Sequence, residues 1–324
     1  MTSQIYKSVN LVANREGFDA KFIDPQLINA YGLTVYDKSL WVTANVTGKL
    51  IKYSFKGCKE SPVITLPSNP TGIIVNDTVG FPIGEDICNI QPSTLLFSTQ
   101  DQVIGGYNEN VNPRRGIEKY HSGDGAVYNG ITLLGDLLYA ADFQNNKIDV
   151  LDSNFCKISG DGSFPFEYPC DQPRGYIVFN VVAINGLLFV PYAKGLSVSP
   201  FYQTGAGLGF IAVYDSNGVY IKTIIGVGDH LNAPYSLTIA PENFGKFSGK
   251  LLVGNFGAGK INAWDIGNVC SSAKYLGKIK VKNDCEVVDF YINHLSTIFS
   301  YKQTVFYCAG PNQKADGVVG KITL

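Results

Sequence analysis

The sequence is poor in charge, and this shortage excludes several classes of partner. Charged residues make up 16% of the 324 residues, and the formal net charge is −1. Nucleic acids and anionic membrane surfaces bind clustered Lys and Arg, but the chain has no long basic block, and Arg114 and Arg115 are merely an adjacent pair. No apolar run approaches the length of a membrane span. We therefore expect no nucleic-acid partner and no membrane span.

The N-terminal stretch, MTSQIYKSVNLVANREGF, also lacks an apolar run of signal-peptide length. The sequence therefore predicts a soluble chain without a classical export signal in the segment given. It leaves the compartment and the oligomeric state open, and an extracellular, cell-surface or virion-associated role fits the composition equally well.

Motifs of common enzyme classes are missing too. The chain has no nucleophile elbow of the GxSxG type, no CxxC pair and no Cys/His spacing that would hold zinc. Two Gly-rich stretches, GAGLG at 205–209 and GNFGAGK at 254–260, superficially resemble nucleotide-binding turns. The first precedes a strand instead of a helix, and the second lacks the spacing of a P-loop. We interpret both as turns.

The seven cysteines are an odd number, and most are expected to be reduced. Cys156 could pair with Cys170, and Cys270 with Cys285, because each pair brackets a join between repeats. Spacing alone does not bring their Cα atoms within bonding distance. Cys308 lies in an apolar strand and is predicted to be a buried thiol. Nothing marks an accessible thiol of low pKa, so a redox role ranks below the other functions.

The residues that are abundant favour β-structure. With 35 Gly, 19 Tyr and 19 Phe, the composition suits short strands and tight turns. One phrase is repeated almost unchanged, as LLYAADFQNNKIDVLD at 137–152 and LLVGNFGAGKINAWD at 251–265. Each copy predicts a strand, a polar turn after Asp-Phe or Asn-Phe, and a returning strand.

The same pattern occurs six times. Besides the two copies above, it is found at 39–55, 94–108, 187–218 (with a Gly-rich insertion) and 304–324. An apolar strand precedes each copy, at 29–36, 69–76, 127–135, 179–186, 232–240 and 286–293. Fourth strands follow at 61–67, 219–226 and 274–281. Four-stranded meanders recurring at roughly 40–60 residues are typical of a β-propeller.

The sixth unit ends at Leu324 without a fourth strand, and a spare β-rich segment, 5–14, precedes the first unit. The sequence therefore predicts an all-β, six-bladed β-propeller, one domain over 1–324, closed by the N-terminal strand pairing into the last blade. Closure removes an exposed sheet edge. The alternative, two stacked β-sandwiches, does not explain six copies and a spare strand.

Several stretches resemble an uncharacterised family of NHL-like six-bladed propellers, distantly similar to lactonase and gluconolactonase propellers. The resemblance rests on DPQLINAYGL, NPTGI, LLYAADFQNNKIDVLDSNF, GVVGKI and the long stretch NAPYSLTIAPENFGKFSGKLLVGNFGAGKINAWD. It implies the propeller fold and no established activity. It extends over nearly the whole chain, with extra cysteines and the insertion at 195–208 as departures.

Alignment of the repeats places a polar residue at the end of each second strand. These candidates for one mouth of the channel are Asn45, Gln100, Asp142, Tyr192 and Asn255. His230 precedes an inner strand and is the best candidate for proton transfer. Asp142, Asn255 and Asn45 could supply oxygens to Ca²⁺, as in lactonases that the resemblance brings to mind. Alternatively, these side chains cap the backbone where strand becomes turn.

Two functions follow. The first is a non-enzymatic binding or structural propeller that contacts protein or carbohydrate through its loops, without a catalytic residue. Its long segments are 77–93, 109–126, 156–175 and 195–208. The alternative is a metal-dependent lactonase-like hydrolase, in which Ca²⁺ activates water at the channel. Because the alignment supplies only one carboxylate, Asp142, the sequence favours binding, with a polar mouth that holds water or a weakly bound ion.

Overall fold

The computed structural model describes residues 4–196, 202–228, 230–267, 273–283 and 286–324. In these ranges the regular structure is almost entirely β-strand, with one 3-10 helix at Gly245–Phe247 and one short helical segment at Pro311–Lys314. No helix in the part of the chain that the structure describes is long and apolar enough to cross a membrane.

Six antiparallel sheets form the blades of a propeller, as the repeats predict. Their strands, in chain order within each blade, are Ala30–Tyr36, Ser39–Ala44, Lys49–Ser54 and Lys59–Thr65 in blade 1; Pro70–Val75, Leu95–Thr99, Val103–Tyr107 and Ile117–His121 in blade 2; Tyr128–Leu134, Leu137–Asp142 and Lys147–Leu151 in blade 3; Tyr176–Val178, Val182–Ile184, Leu187–Gly195, Tyr202–Gln203, Gly209–Tyr214 and Tyr220–Ile225 in blade 4; Pro234–Ile239, Leu251–Asn255, Lys260–Asp265 and Lys274–Lys278 in blade 5; and Leu295–Tyr301, Thr304–Ala309 and Val318–Thr323 in blade 6.

The first strand of each blade contacts the first strand of the next blade, and the sixth contacts the first, so these strands surround the central channel. Two hairpins lie outside the blades. One is Pro82–Ile83 with Gln91–Pro92, and the other is Lys280–Asn283 with Glu286–Asp289. The second hairpin corrects one prediction. The inner strand of blade 6 is Leu295–Tyr301 and not 286–293, where Tyr291 is 62% exposed.

The N-terminus closes the ring as predicted. Strand Lys7–Ala13 pairs antiparallel with Val318–Thr323 and becomes the outer strand of blade 6, and the short strand Phe22–Ile23 pairs along its far edge. Leu11, Val12 and Ala13 are fully buried, whereas Ile5 is exposed. The bulge between Asn10 and Val12 changes which side chains face the core.

An ion pair fixes the same closure. Arg15 donates from Nε to Asp316 Oδ1 at 2.8 Å and from Nη2 to Asp316 Oδ2 at 2.7 Å. Asn14 adds a hydrogen bond from Nδ2 to Asp316 Oδ1 at 2.9 Å. The Asp316 side chain is only 5% exposed. The hydrogen bond from Arg15, opposed by burial and helped by Asn14 and Asn312, lowers the pKa of Asp316 to about 2.

The core is divided among the junctions between blades. Six apolar clusters each join two neighbouring blades, and a seventh, around Tyr31, Phe179 and Tyr235, lies on the channel axis. Each junction buries aliphatic and aromatic side chains from both of its sheets. Burial of this apolar surface, at roughly 25 cal/mol per Å², therefore holds each blade to its neighbours.

The innermost strands share an irregularity near their beginning. In five blades the register between the first and second strands shifts, for example between Ala30 and Leu33 and between Tyr128 and Gly130. In blade 4 the first strand is interrupted between Val178 and Val182. Such bulges leave backbone groups without ladder partners.

Side chains of neighbouring blades bond these free backbone groups and form a belt around the channel. In order of the junctions, the contacts are Thr43 Oγ1 to Thr71 O (2.7 Å), Thr71 Oγ1 to Tyr128 O (2.5 Å), Ala183 N to Thr132 Oγ1 (3.1 Å), Asn180 Nδ2 to Tyr235 O (3.0 Å), Ser236 Oγ to Ile298 O (3.2 Å) and Thr297 Oγ1 to Tyr31 O (2.7 Å). Close approach requires glycine at some of these positions. A Cβ on Gly32 would collide with the carbonyl of Thr71.

The cysteines are reduced where the structure describes them. Cys58, Cys88, Cys156 and Cys170 are exposed thiols, so the proposed bridge between Cys156 and Cys170 does not form. Cys270 and Cys285 lie outside the described residues. Cys308 is buried as predicted, burial raises the pKa of its thiol to about 12, and its Sγ donates to Tyr31 O at 3.1 Å.

The belt predicts that a nearly isosteric substitution of one of its hydroxyl residues lowers the free energy of unfolding. Thr71→Val removes the hydroxyl that contacts Ser98 and Tyr128 and leaves a buried carbonyl with one partner fewer. We expect the free energy of unfolding to fall by about 1–3 kcal/mol, measured by urea denaturation. The matched change at exposed Thr65, Thr65→Val, should alter it by less than about 0.5 kcal/mol. Equal effects of the two changes would contradict the belt.

The closing ion pair predicts a pH dependence. The pKa of Asp316 is about 2 in the fold, compared with about 3.9 in an unfolded chain. A depressed folded pKa stabilises above the unfolded pKa, so this contribution is complete above about pH 4 and is lost as the pH falls toward 2. Asp316→Asn should lower the melting temperature at pH 7 and flatten its decline between about pH 4 and 2. Glu16→Gln, which changes an exposed neighbour, should leave the wild-type acid profile.

Candidate functional site

Three side chains from alternate blades meet on the channel axis and form a plug. Tyr31 of blade 1 and Tyr235 of blade 5 lie edge to face, with ring centroids 5.5 Å apart. Both reach Asn129 of blade 3: Tyr235 donates to its backbone carbonyl at 2.6 Å, and Tyr31 donates to its Oδ1 at 3.4 Å. All three are buried. Burial raises the pKa of both tyrosines well above their ordinary value, so the phenols remain donors.

A pocket of about 310 Å³ opens above the plug, at the end where the second strands finish. We call it the mouth pocket. Its aromatic lining consists of Tyr31, Phe143, Phe179, Tyr202 and Phe256, and its polar lining of Asn69, Gln100, Asp101, Asn129 and Lys314; Val127 completes it. A separate cavity of about 460 Å³ lies at the other end of the inner strands, lined by residues of all six blades.

The aromatic half of the mouth pocket comes from blades 3, 4 and 5. Phe179 is central, with ring centroids 4.9 Å from Tyr202, 5.7 Å from Phe143 and 5.8 Å from Phe256. Tyr202 is brought there by the insertion at 195–208, because Tyr202–Gln203 pairs with Lys194–Gly195. Residues 197–201 of that insertion lie outside the described residues. The rings pack at steep angles to one another and present an apolar wall.

The opposite half is a chain of amides. Asn29 donates to Asn45 Oδ1 at 2.9 Å, Asn45 donates to Gln100 Oε1 at 3.5 Å, and Gln100 donates to Asn129 Oδ1 at 3.2 Å. At the rim, Asn69 donates to Asp101 Oδ2 at 2.9 Å. These bonds fix the amide orientations, so the pocket offers preset donors and acceptors.

Blade 6 contributes a cation. Lys314 lies in the loop between the second and third strands of that blade, and its Nζ is 5.8 Å from the Phe256 ring centroid. It is half-buried, and burial lowers its pKa. His294 lies beside it, with its ring 5.1 Å from that of Phe256 and Nδ1 3.1 Å from Gly310 O. Burial lowers the pKa of His294 as well.

Two of the residues predicted from the repeats do come together at this mouth. Asn45 and Gln100 are neighbours in the amide chain, and Gln100 lines the mouth pocket. Asn45, however, is 5% exposed and uses its amide on Gln100 and on Pro70 O at 3.1 Å. It supports the pocket wall and does not extend into an open channel.

Asp142 does not face the channel. It is fully buried, and its Oδ1 accepts from the backbone amides of Val127 at 3.1 Å and Asn145 at 3.2 Å. Its Oδ2 accepts from Asn145 Nδ2 at 2.7 Å and lies 3.8 Å from Lys147 Nζ. The carboxylate therefore caps the turn after its strand, which is the alternative that the sequence left open.

Asp142, Asp124 and Asp149 form an acidic cluster, and lysines neutralise it. Lys147 pairs with all three carboxylates, and Lys157 lies 2.7 Å from Asp149 Oδ1. These ammonium groups occupy the position that a cation would take. Tyr128 is a further donor to the cluster, with a hydrogen bond to Asp149 Oδ2 at 2.7 Å. The donor set is thus already satisfied within the chain.

The other predicted residues lie away from the mouth pocket. Asn255 is 1% exposed and caps the backbone just before the inner strand of blade 5, with Oδ1 accepting from Asn232 N at 2.8 Å. Tyr192 is buried between blades 3 and 4, stacked on Phe210 and bonded to the Tyr214 hydroxyl at 2.8 Å. His230 stacks on Tyr275, in the outer strand of blade 5, with ring centroids 3.6 Å apart. The prediction that Tyr192 and His230 line the mouth is wrong, because local packing holds each elsewhere.

The sequence contained a signal for the aromatic half. The repeated phrase places Phe directly after the polar residue in ADF and GNF, and those residues are Phe143 and Phe256. The polar residue turns inward to cap the backbone, so its neighbour faces the pocket. Lys314 and Tyr202 lie in segments without repeat counterparts, and the alignment could not find them.

The fold and the pocket together define a six-bladed β-propeller with a ligand-sized recess at one mouth of a plugged channel. The fold is shared with virginiamycin B lyase from Staphylococcus aureus, at a TM-score of 0.59 and 12% identity over 98% of this chain and 99% of that one. Hydrazine synthase of Kuenenia stuttgartiensis has a TM-score of 0.54 at 11% identity, over 90% of this chain and 95% of that one. Such low identities establish the fold alone.

Sequence relatives define the family. Uncharacterized protein R648 of Acanthamoeba polyphaga mimivirus is 30% identical over 96% of this chain and 78% of its own length. Uncharacterized protein L690 of the same virus is 29% identical over 97% of this chain and 85% of its own length. The chain belongs to the family of these uncharacterised mimivirus proteins. It matches no protein-family model.

The capping role of Asp142 predicts that Asp142→Asn destabilises the fold. The amide keeps one oxygen for the two backbone N–H groups but turns NH₂ toward the Asn145 amide and Lys147. We expect the free energy of unfolding to fall by about 1–3 kcal/mol in urea titrations. The matched control, Asp136→Asn, changes an exposed turn residue of the same blade and should be neutral. An unchanged Asp142→Asn protein would refute the capping role.

Proposed function

We propose that the protein is a non-enzymatic binding propeller whose mouth pocket holds one sugar residue of a glycan. The observation that carries this proposal is the division of the pocket into an aromatic wall and a facing row of ordered amides. A volume of about 310 Å³ is at the small end of the range for ligand pockets, about 300–1,000 Å³. It suits a single ring better than an extended chain.

Sugar chemistry matches the two walls. A pyranose has a rim of hydroxyl groups and apolar C–H faces, and these faces pack on aromatic rings such as that of the partly exposed Tyr202. Hydroxyl groups both donate and accept, so they can bond to Gln100 and Asn129 amides and to the Asp101 carboxylate. The plug below is made of buried, fixed side chains, which would hold the ring at the mouth and keep it out of the channel.

Other ligand and reaction classes fit less well. An aromatic pocket can attract a cation, but the ammonium of Lys314 would repel one. The lactonase-like alternative requires oxygens of Asp142, Asn45 and Asn255 around a cation. These oxygens already accept hydrogen bonds, from backbone amides at Asp142 and Asn255 and from the Asn29 side chain at Asn45. A Ca²⁺ site at the mouth therefore stays a prediction that we rank below sugar binding.

The location in which the protein acts is also a proposal. The relatives are proteins of Acanthamoeba polyphaga mimivirus, and this viral origin supports a surface- or virion-associated role for a glycan-binding propeller. The long loops that the sequence marks as contact surfaces would then extend the contact beyond the pocket, and Tyr202 in the insertion at 195–208 is one such contact.

Glycan-array binding followed by titration calorimetry tests the proposal. We expect a defined set of glycans to bind the wild-type protein, and Tyr202→Leu, which keeps an apolar side chain but removes the ring, to weaken binding about tenfold. Tyr202 is only partly buried, so the variant should fold. Tyr36→Leu is the matched control, since Tyr36 is exposed at the opposite end of an inner strand; it should bind as wild type.

Two results would overturn the proposal. One is the absence of binding to any glycan, and the other is glycan binding that Tyr202→Leu leaves unchanged. A parallel incubation with lactones and 1–10 mM Ca²⁺, roughly the range that saturates weak extracellular calcium sites, addresses the alternative. Turnover there would favour the hydrolase.

A further inference from the structure

Lys314 is held in the mouth pocket by a strained loop. Asn312, Gln313 and Lys314 have φ values of 51°, 56° and 71°, which is left-handed backbone at three successive residues that carry a Cβ. Such conformations cost of order 1 kcal/mol or more each and persist where the surroundings impose them. The Lys314 amide closes the loop by donating to Gly310 O at 3.0 Å.

The ammonium has no anionic partner in the part of the chain that the structure describes. No carboxylate there lies within 4.0 Å of Lys314 Nζ, although several other lysines have one. The groups around it are the Phe256 ring and His294, and Asp101, at the rim of the same pocket, is bonded to Asn69. Burial lowers the pKa of Lys314, which means that the charged form is poorly solvated there.

We infer that the mouth pocket selects an acidic sugar, whose carboxylate pairs with Lys314 while its ring packs on the aromatic wall. This inference rests on the proposed function and adds the ligand's charge. A half-buried cation without a counter-ion is costly, and a ligand carboxylate would supply charge-assisted hydrogen bonds. Its hydroxyl groups would face the amide chain and Asp101, on the opposite side of the pocket.

The charge balance favours a carboxylate over a phosphate. Lys314 supplies one positive charge, which a carboxylate neutralises, whereas a phosphate monoester carries about 1.5 to 2 negative charges at pH 7. Asp101 would oppose the additional charge. The carboxylate of Asp101 can accept hydrogen bonds from hydroxyl groups. A uronic acid therefore offers a carboxylate to Lys314 and hydroxyl groups to Asp101.

The experiment compares two pairs of sugars, and the members of each pair differ only in the acid group. Glucuronic acid and galacturonic acid are titrated against glucose and galactose by ligand-observed NMR, at a salt concentration held fixed. We expect the acids to bind the wild-type protein about tenfold more tightly than their neutral parents, as expected for a charge-assisted contact. Lys314→Met, which keeps most of the stem, should remove this difference between the acids and their neutral parents.

A matched control uses a second lysine. Lys302 is also in left-handed conformation (φ 53°) and lies in blade 6, but it is exposed and remote from the mouth pocket. Lys302→Met should keep the wild-type preference for acids. A preference that persists in Lys314→Met, or equal binding of acids and neutral sugars to the wild type, would overturn the inference and leave sugar binding standing. Binding of none of the four sugars would overturn both.

Discussion

The structure depends on how its six blades are joined at the axis. The bulges in the innermost strands leave backbone carbonyls and amides without ladder partners next to the neighbouring blade. An unpaired buried backbone group is costly. Hydroxyl and amide side chains, among them Thr43, Thr71, Asn180 and Thr297, bond these groups across every junction. Apolar packing holds each junction together, but it is non-directional. The hydrogen bonds of the belt are directional, and they therefore orient each blade relative to the next.

Closing the axis in this way determines where a ligand can lie. The side chains at the bulges include Tyr31, Asn129 and Tyr235, which fill the centre of the channel. A reaction site inside the channel would have to displace them. The open space is therefore divided between the two ends, and only the mouth pocket combines aromatic rings, ordered amides and a cation. The polar residues that a ring-shaped metal site would recruit are used instead as caps at the ends of the second strands.

The sequence predicts the repeating parts of this molecule and not the exceptions. Strand spacing, six units and N-terminal closure are visible because each follows from alternation and repetition. Asp142 and Asn255 were also correctly placed at strand ends, but their direction depends on a turn geometry that spacing does not encode. The inner strand of blade 6 was missed because 286–293 is equally strand-like, and it pairs with Lys280–Asn283 outside the ring. Lys314 has no counterpart in other blades, so no alignment of repeats could reveal it.

Blade 6 links closure of the ring to the mouth pocket. Asp316, which binds Arg15 and Asn14 from the N-terminal segment, lies two residues after Lys314, and Asn312 donates to the same carboxylate. The left-handed loop is therefore clamped between Gly310 and an ion pair that exists only when the N-terminus is in place. Loss of that pair would relax the strained residues and let Lys314 leave the aromatic wall. The interaction that closes the propeller thus also positions the one cation of the pocket, and for that reason stability and ligand selection are coupled in this blade.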